Sequence, residues 1–218
     1  MVDTPDRREL TARPGYAGLL AMAGMILFAL LIPSSMPWPL LAPAVLILVA
    51  VDLSIAFRSG ESPLDILGVQ EFSRKVGIWI IIGALIGVCM GIAYRSVWMT
   101  DLLPQRIGGF IIIAIAIGSV EELLYRGYIQ GRLMHLSWPI AITLAAAGHT
   151  AYKAALFISP PVGVQIDMGP LVVWTFICGS VMGLIRHLSG SVLPAVTVHA
   201  VFDILAYAES TQAPWWVW

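Results

Sequence analysis

The 218-residue chain is 59% hydrophobic and 11% charged, far below the roughly 25% charge of an ordinary soluble domain, and this excludes such a domain. A net charge of −1 gives no reason to expect nucleic acid or another polyanion as a partner. Apolar runs of about 20 residues recur along the whole length and must be helical, because hydrocarbon offers no partner to free backbone N–H and C=O groups. The expected fold is all-α: a polytopic transmembrane bundle of about seven to eight helices around a polar intramembrane cavity.

Residues 1–15 are polar, carry Arg7, Arg8 and Arg13, and read as a cytoplasmic flank. A single membrane domain is expected over residues 16–208, with its chemistry in 107–207. The run from Tyr16 to Ile32 is too long for a signal-peptide core and lacks a clear cleavage site, so it reads as an uncleaved first span. The stretch Pro33 to Pro39 reads as a tight turn with Trp38 at the interface. A second span follows over about Leu40–Phe57, with Asp52 close enough to its end to be an interfacial carboxylate. Arg58 to Lys75 is the longest polar connection. The third span, about Val76–Tyr94, carries Gly83, Gly87 and Gly91 at four-residue intervals, a stripe that lets a neighbouring helix approach closely.

The fourth span starts near Ile107 and is expected to continue as helix past Arg126 to about Met134. A fifth covers Trp138–Phe157. Pro160-Pro161 and Gln165-Ile166-Asp167 break the pattern before a sixth, Pro170–Leu188, and a seventh, Ser191–Tyr207. Residues 209–218 end in Trp215-Trp216-Val217-Trp218, an interfacial anchor. Cys89 and Cys178 fall inside spans and read as small buried apolar residues. With the N-terminus inside, nine Lys and Arg residues are cytoplasmic and three (Arg95, Arg106, Lys153) face outward, which favours an N-in, multi-pass topology.

Three polar clusters interrupt these apolar helices. Glu121, Glu122 and Arg126 end the fourteen almost uncharged residues Ile107–Val120; Glu122 and Arg126 are four apart and can pair, leaving Glu121 free on another face. Gly148-His149-Thr150 stands in the fifth span, with Lys153 one turn beyond. His199 and Asp203 share a face of the seventh. A charge deep in hydrocarbon costs at least about 2.5–3.5 kcal/mol, so such groups face a polar interior. At about 1.5 Å per residue, Glu121, His149 and His199 lie about 12–18 Å from the inner ends of their helices. They can therefore meet in one cavity, with Asp203 somewhat farther out.

In order and spacing these clusters resemble the CPBP (CAAX prenyl protease and bacteriocin-processing, or Abi) family of intramembrane proteases, whose pattern is E-E-x-x-x-R, F-x-x-x-H and H-x-x-x-[N/D] on separate helices. Here the elements are Glu121-Glu122-Leu123-Leu124-Tyr125-Arg126, Ala145-Ala146-Ala147-Gly148-His149 and His199-Ala200-Val201-Phe202-Asp203. Ala145 replaces the usual aromatic, which bears on the shape of a substrate pocket more than on the chemistry. The resemblance implies that Glu121 and His149 activate a water for attack on a peptide carbonyl. It places His199 and Asp203 near the developing oxyanion and has Arg126 hold Glu122. Aspartate in place of the more usual asparagine must be protonated or must orient His199.

The expected activity is thus endoproteolysis of a membrane-tethered protein or peptide, in a bacterial inner membrane. Glu121, His149 and His199 are also a possible zinc set, although the H-E-x-x-H spacing is absent; a metal-free glutamic mechanism with no cofactor is preferred. A proton or ion relay in a transporter would place similar residues in the membrane, and a non-enzymatic scaffold or immunity protein could keep the same fold.

Overall fold

The computed structural model describes residues 7–31, 41–69, 71–99, 101–158 and 167–210. Over these residues the chain is helical and contains no strand. Its elements are α1 (Arg7–Leu31), α2 (Leu41–Arg58), the short α3 (Pro63–Leu67), α4 (Arg74–Trp98), α5 (Phe110–Glu122), a π-helical segment (Leu123–Ile129), α6 (Gln130–Leu133), α7 (Trp138–Leu156), α8 (Met168–Ser189) and α9 (Leu193–Tyr207). Among the described residues a helix stands at the place of each of the seven expected spans, from 13 residues in α5 to 25 in α1 and α4. The first begins earlier than expected, at Arg7, so most of the polar flank is helical. The Pro33–Pro39 turn, the Pro160-Pro161 break and the tryptophan tail lie outside the described residues.

Among the described residues, two helices are long and apolar enough to cross a membrane by length and composition, Arg74–Trp98 and Met168–Ser189; Gly15–Leu31 and Leu193–Tyr207 are shorter apolar helices. The outer faces of α4 and α8 fit lipid. Ile78, Ile81, Leu85, Val173, Trp174 and Ile177 are all exposed, and apolar side chains exposed together mark a face made for an apolar neighbour. Cys89 also lies on this exposed face, not buried as expected, and both cysteines are free.

Small residues decide which helices meet. The glycine stripe of α4 packs on α9, and the two run parallel. A Cβ at Gly83 would stand 2.7 Å from the Pro194 carbonyl oxygen, one at Gly87 2.6 Å from that of Val198, and one at Gly91 2.6 Å from the Leu205 side chain. The backbones approach closely because no side chain intervenes. On α5 the buried stripe is Phe110, Ala114, Gly118 and Glu121, at the three- and four-residue spacing of one helix face. Gly118 faces α9 so closely that its Cβ would lie 2.6 Å from Asp203 Oδ2 and 2.8 Å from His199 Cδ2. Two glycines of α8 complete the seat: a Cβ at Gly179 would be 2.7 Å from Arg126 Nη2 and one at Gly183 3.0 Å from Gln130 Oε1.

The fourth span is not one continuous α-helix. After Glu122 the chain takes the wider π turn through Ile129, and six of these seven residues are buried. Such turns gather at functional sites, where they re-aim side chains.

Polar clamps close both ends of the bundle. Asp52, near the end of α2, is paired: its Oδ2 accepts from Tyr128 Oη at 2.8 Å and from Arg132 Nε at 2.7 Å, while Arg132 Nη1 donates to Glu61 at 2.8 Å. This ties α2 to the helix that follows the glutamate pair. At the other end, the buried Arg95 donates to the Asp101 and Leu205 carbonyls and to Glu209 Oε2, at 2.8, 2.9 and 2.9 Å. The guanidinium beside it holds the Glu209 carboxyl below the usual carboxylate range.

Candidate active site

The site is assembled from the C-terminal end of α5, the π segment, the middle of α7 and the middle of α9. Glu122, fully buried, is its hub. Glu122 Oε1 accepts from Arg126 Nη1 at 2.9 Å and pairs with His199 Nδ1 at 2.9 Å. The Arg126 guanidinium, also fully buried, forks onward: Nη1 and Nη2 both lie 3.1 Å from His149 Nδ1. One carboxylate and one arginine thus join three helices, α5 with its π continuation, α7 and α9. A buried ion pair of this kind is tolerated because each charge meets its opposite and a ring nitrogen as well.

These contacts settle the proton positions on the two imidazoles. A guanidinium only donates, so His149 Nδ1 accepts and a neutral His149 carries its proton on Nε2. A carboxylate only accepts, so His199 Nδ1 is protonated. The tautomer follows from what the other nitrogen touches. Both Nε2 atoms point at Glu121 Oε2, His149 from 3.4 Å and His199 from 3.8 Å. Asp203 Oδ1 also lies 3.8 Å from His199 Nε2.

Glu121 is 5% exposed and is not the free carboxylate that the spacing suggested. Its Oε1 is hydrogen-bonded to the Lys153 ammonium. Its Oε2 has no hydrogen-bond partner among the described residues, and the same holds for His149 Nε2 and for the buried Tyr125 hydroxyl. The three atoms belong to one neighbourhood, since the Tyr125 ring lies 4.7 Å from the His149 ring and Tyr152 closes the stack behind it. Unpaired buried polar atoms are rare and costly, so their concentration at one spot marks a place prepared to receive a polar group.

All six residues singled out by the sequence (Glu121, Glu122, Arg126, His149, His199 and Asp203) therefore meet at one place. Three neighbours were missed. Lys153 was visible as a cation one turn beyond His149 in an apolar helix, a signal that asked for a partner. Tyr125 and Tyr152 gave none, because a tyrosine in a membrane helix is commonplace. Ala145, in the place of the motif's aromatic, is buried in the apolar cluster that also holds Tyr125 and Tyr152.

One comparison with known proteins finds a match. Residues 102–205 match the family model described as Type II CAAX prenyl endopeptidase Rce1-like, a segment that holds every residue of the site. No curated protein and no solved structure matches the chain. The family is one of membrane-embedded, CAAX-protease-like enzymes. Over this segment, the chain is similar to the Rce1-like branch of the CPBP family of intramembrane proteases.

Proposed function

We propose that the protein is an intramembrane endopeptidase of glutamic type that hydrolyses a peptide bond in a membrane-tethered protein or peptide. The carrying observation is the convergence of two imidazole Nε2 atoms on one oxygen of a buried glutamate, Glu121 Oε2. A water held there gives its proton to Glu121, and its oxygen attacks the carbonyl carbon. As the C–N bond breaks, the proton passes from Glu121 to the leaving amine. A fixed base of this kind contributes about 10²–10⁴-fold. His149, with its proton on Nε2, serves as the donor that orients water and carboxylate. His199, when doubly protonated, offers a donor to the developing oxyanion, a contribution worth about 10²–10³ in rate. Asp203 orients the His199 ring through the same nitrogen, 3.8 Å away. Glu122 and Arg126 do not touch the reacting atoms; they fix the two histidines.

The same contacts fit a zinc ion poorly. His149 could ligate through Nε2 only by giving up its proton while Nδ1 still faces a guanidinium, and Glu121 Oε1 already carries an ammonium. Zinc ligands are neutral imidazoles and carboxylates with free lone pairs. Proteolysis is therefore expected to persist in protein stripped of metal and verified by elemental analysis. Loss of activity on stripping, with recovery on adding zinc, would reverse this reading.

We place the seven long helices as seven membrane passes with the N-terminus cytoplasmic, in a bacterial plasma membrane. The parallel run of α4 and α9 supports the alternation this requires. The deciding experiment is terminal-peptide mass spectrometry on native membranes, comparing wild type with Glu121→Ala at matched expression. A protein terminus present only with wild type is the expected result and names the substrate. Identical termini with a folded, abundant variant would overturn the protease reading, and ion or proton flux becomes the next assay.

A further inference from the structure

Lys153 belongs to no part of the glutamate and histidine pattern, yet it reaches the centre of the site. A lysine in an apolar helix is costly unless its charge is met. Here the ammonium donates to Glu121 Oε1 and lies 5.2 Å above the Tyr152 ring. Lys153 stands four residues after His149, so both side chains leave the same face of α7. They take opposite sides of one carboxylate: Lys153 holds Oε1, and His149 Nε2 faces Oε2 at 3.4 Å. The Lys153 side chain is 18% exposed against 5% for Glu121, so the ammonium sits on the more open side.

A glutamate has three rotatable bonds, and a base that swings away from its water is a poor base. Misplacement by about 1 Å can cost about 10²-fold in rate. Of the groups around Glu121, the imidazoles stand at 3.4 and 3.8 Å from Oε2 and the Tyr152 hydroxyl is also within hydrogen-bond reach of the carboxylate; Lys153 is the group that meets Oε1 with a full positive charge. We propose that Lys153 is a positioning residue for Glu121: its ammonium pins Oε1 so that Oε2 is the oxygen presented to water between the two histidines. This rests on the glutamic reading above and extends it to a residue outside the family pattern.

Infrared difference spectroscopy on the full-length protein in lipid nanodiscs tests the contact without a substrate. The carboxylate band missing in Glu121→Gln is assigned to Glu121. The expected result is that this band moves in Lys153→Met and returns to the wild-type position in Lys153→Arg. Should Lys153→Met fail to fold, Lys153→Gln, which keeps an N–H donor but no charge, takes its place. On the substrate identified from native membranes, the neutral variants should lose about 10²-fold in kcat with KM little changed, and Lys153→Arg should recover most of it. A Glu121 band that stays put in the neutral variants, or an arginine variant no better than methionine, overturns the proposal. If the band moves as expected while wild-type and Glu121→Ala membranes have identical termini, the positioning contact stands and the protease reading fails.

Discussion

Arg126→Met is expected to destabilise the protein by about 3–5 kcal/mol, the cost of leaving a buried charge without its partner. Glu122 would keep His199 but lose the guanidinium at 2.9 Å, and His149 Nδ1 would lose its donor. The imidazole would then be free to take the other tautomer and turn its lone pair toward Glu121, removing the donor from the water site. Activity should fall by at least the about 10²-fold that one misplaced catalytic group costs. Arg126→Lys should fold better than methionine yet recover little activity, because an ammonium cannot reproduce the planar fork across Glu122 and His149. Thermal unfolding in detergent measures the first effect and the terminal-peptide assay the second. A fully active Arg126→Lys would show that charge alone suffices there, and that the fork sets no geometry.

Gly87→Leu is expected to abolish activity from a position with no polar atom in its side chain. Any Cβ at residue 87 meets the Val198 carbonyl oxygen at 2.6 Å and the Val201 side chain at 2.8 Å. The first of these is backbone, so α9 must move as a whole. His199 is the next residue, and its contact with Glu122 is a single 2.9 Å bond. Overpacking a tight contact costs about 1–3 kcal/mol in stability, but the shift of His199 should cost activity more than this suggests. Leu85→Ala, on the exposed lipid-facing side of the same helix, serves as the control and should lie within about 0.5 kcal/mol of wild type. If Gly87→Leu retains wild-type turnover, the close approach of α4 is dispensable and α9 is positioned by other contacts.

Much of the fold was legible in the chain itself. Apolar runs in a solvent without hydrogen-bond partners leave helix as the open choice, so the places of the helices among the described residues follow from composition and length alone. The glycines at 83, 87 and 91 announced a close neighbour, though not that it would be α9. Burial of charge made Glu121, Glu122, Arg126, His149, His199 and Asp203 conspicuous one by one, because each is expensive in hydrocarbon and needs a reason to be there. Asp52 shows where that reasoning stops. Its nearness to a helix end suggested an interfacial place but not its partners, Tyr128 and Arg132, which lie more than seventy residues away.

Pairing is the part that the tertiary structure decided. Along one helix, spacing offers Arg126 to Glu122 and leaves Glu121 without a partner. Across helices, Lys153 arrives at Glu121, His199 at Glu122, and Arg126 forks to His149. The π turn after Glu122 was equally hidden, since a single glycine (Gly127) among leucine, tyrosine, arginine and isoleucine does not distinguish a π turn from ordinary helix. The sequence determined which residues must escape the lipid, because that cost is local to each side chain. Which oxygen meets which nitrogen depends on how several helices approach, and that is set by glycines on α4, α5 and α8 acting together.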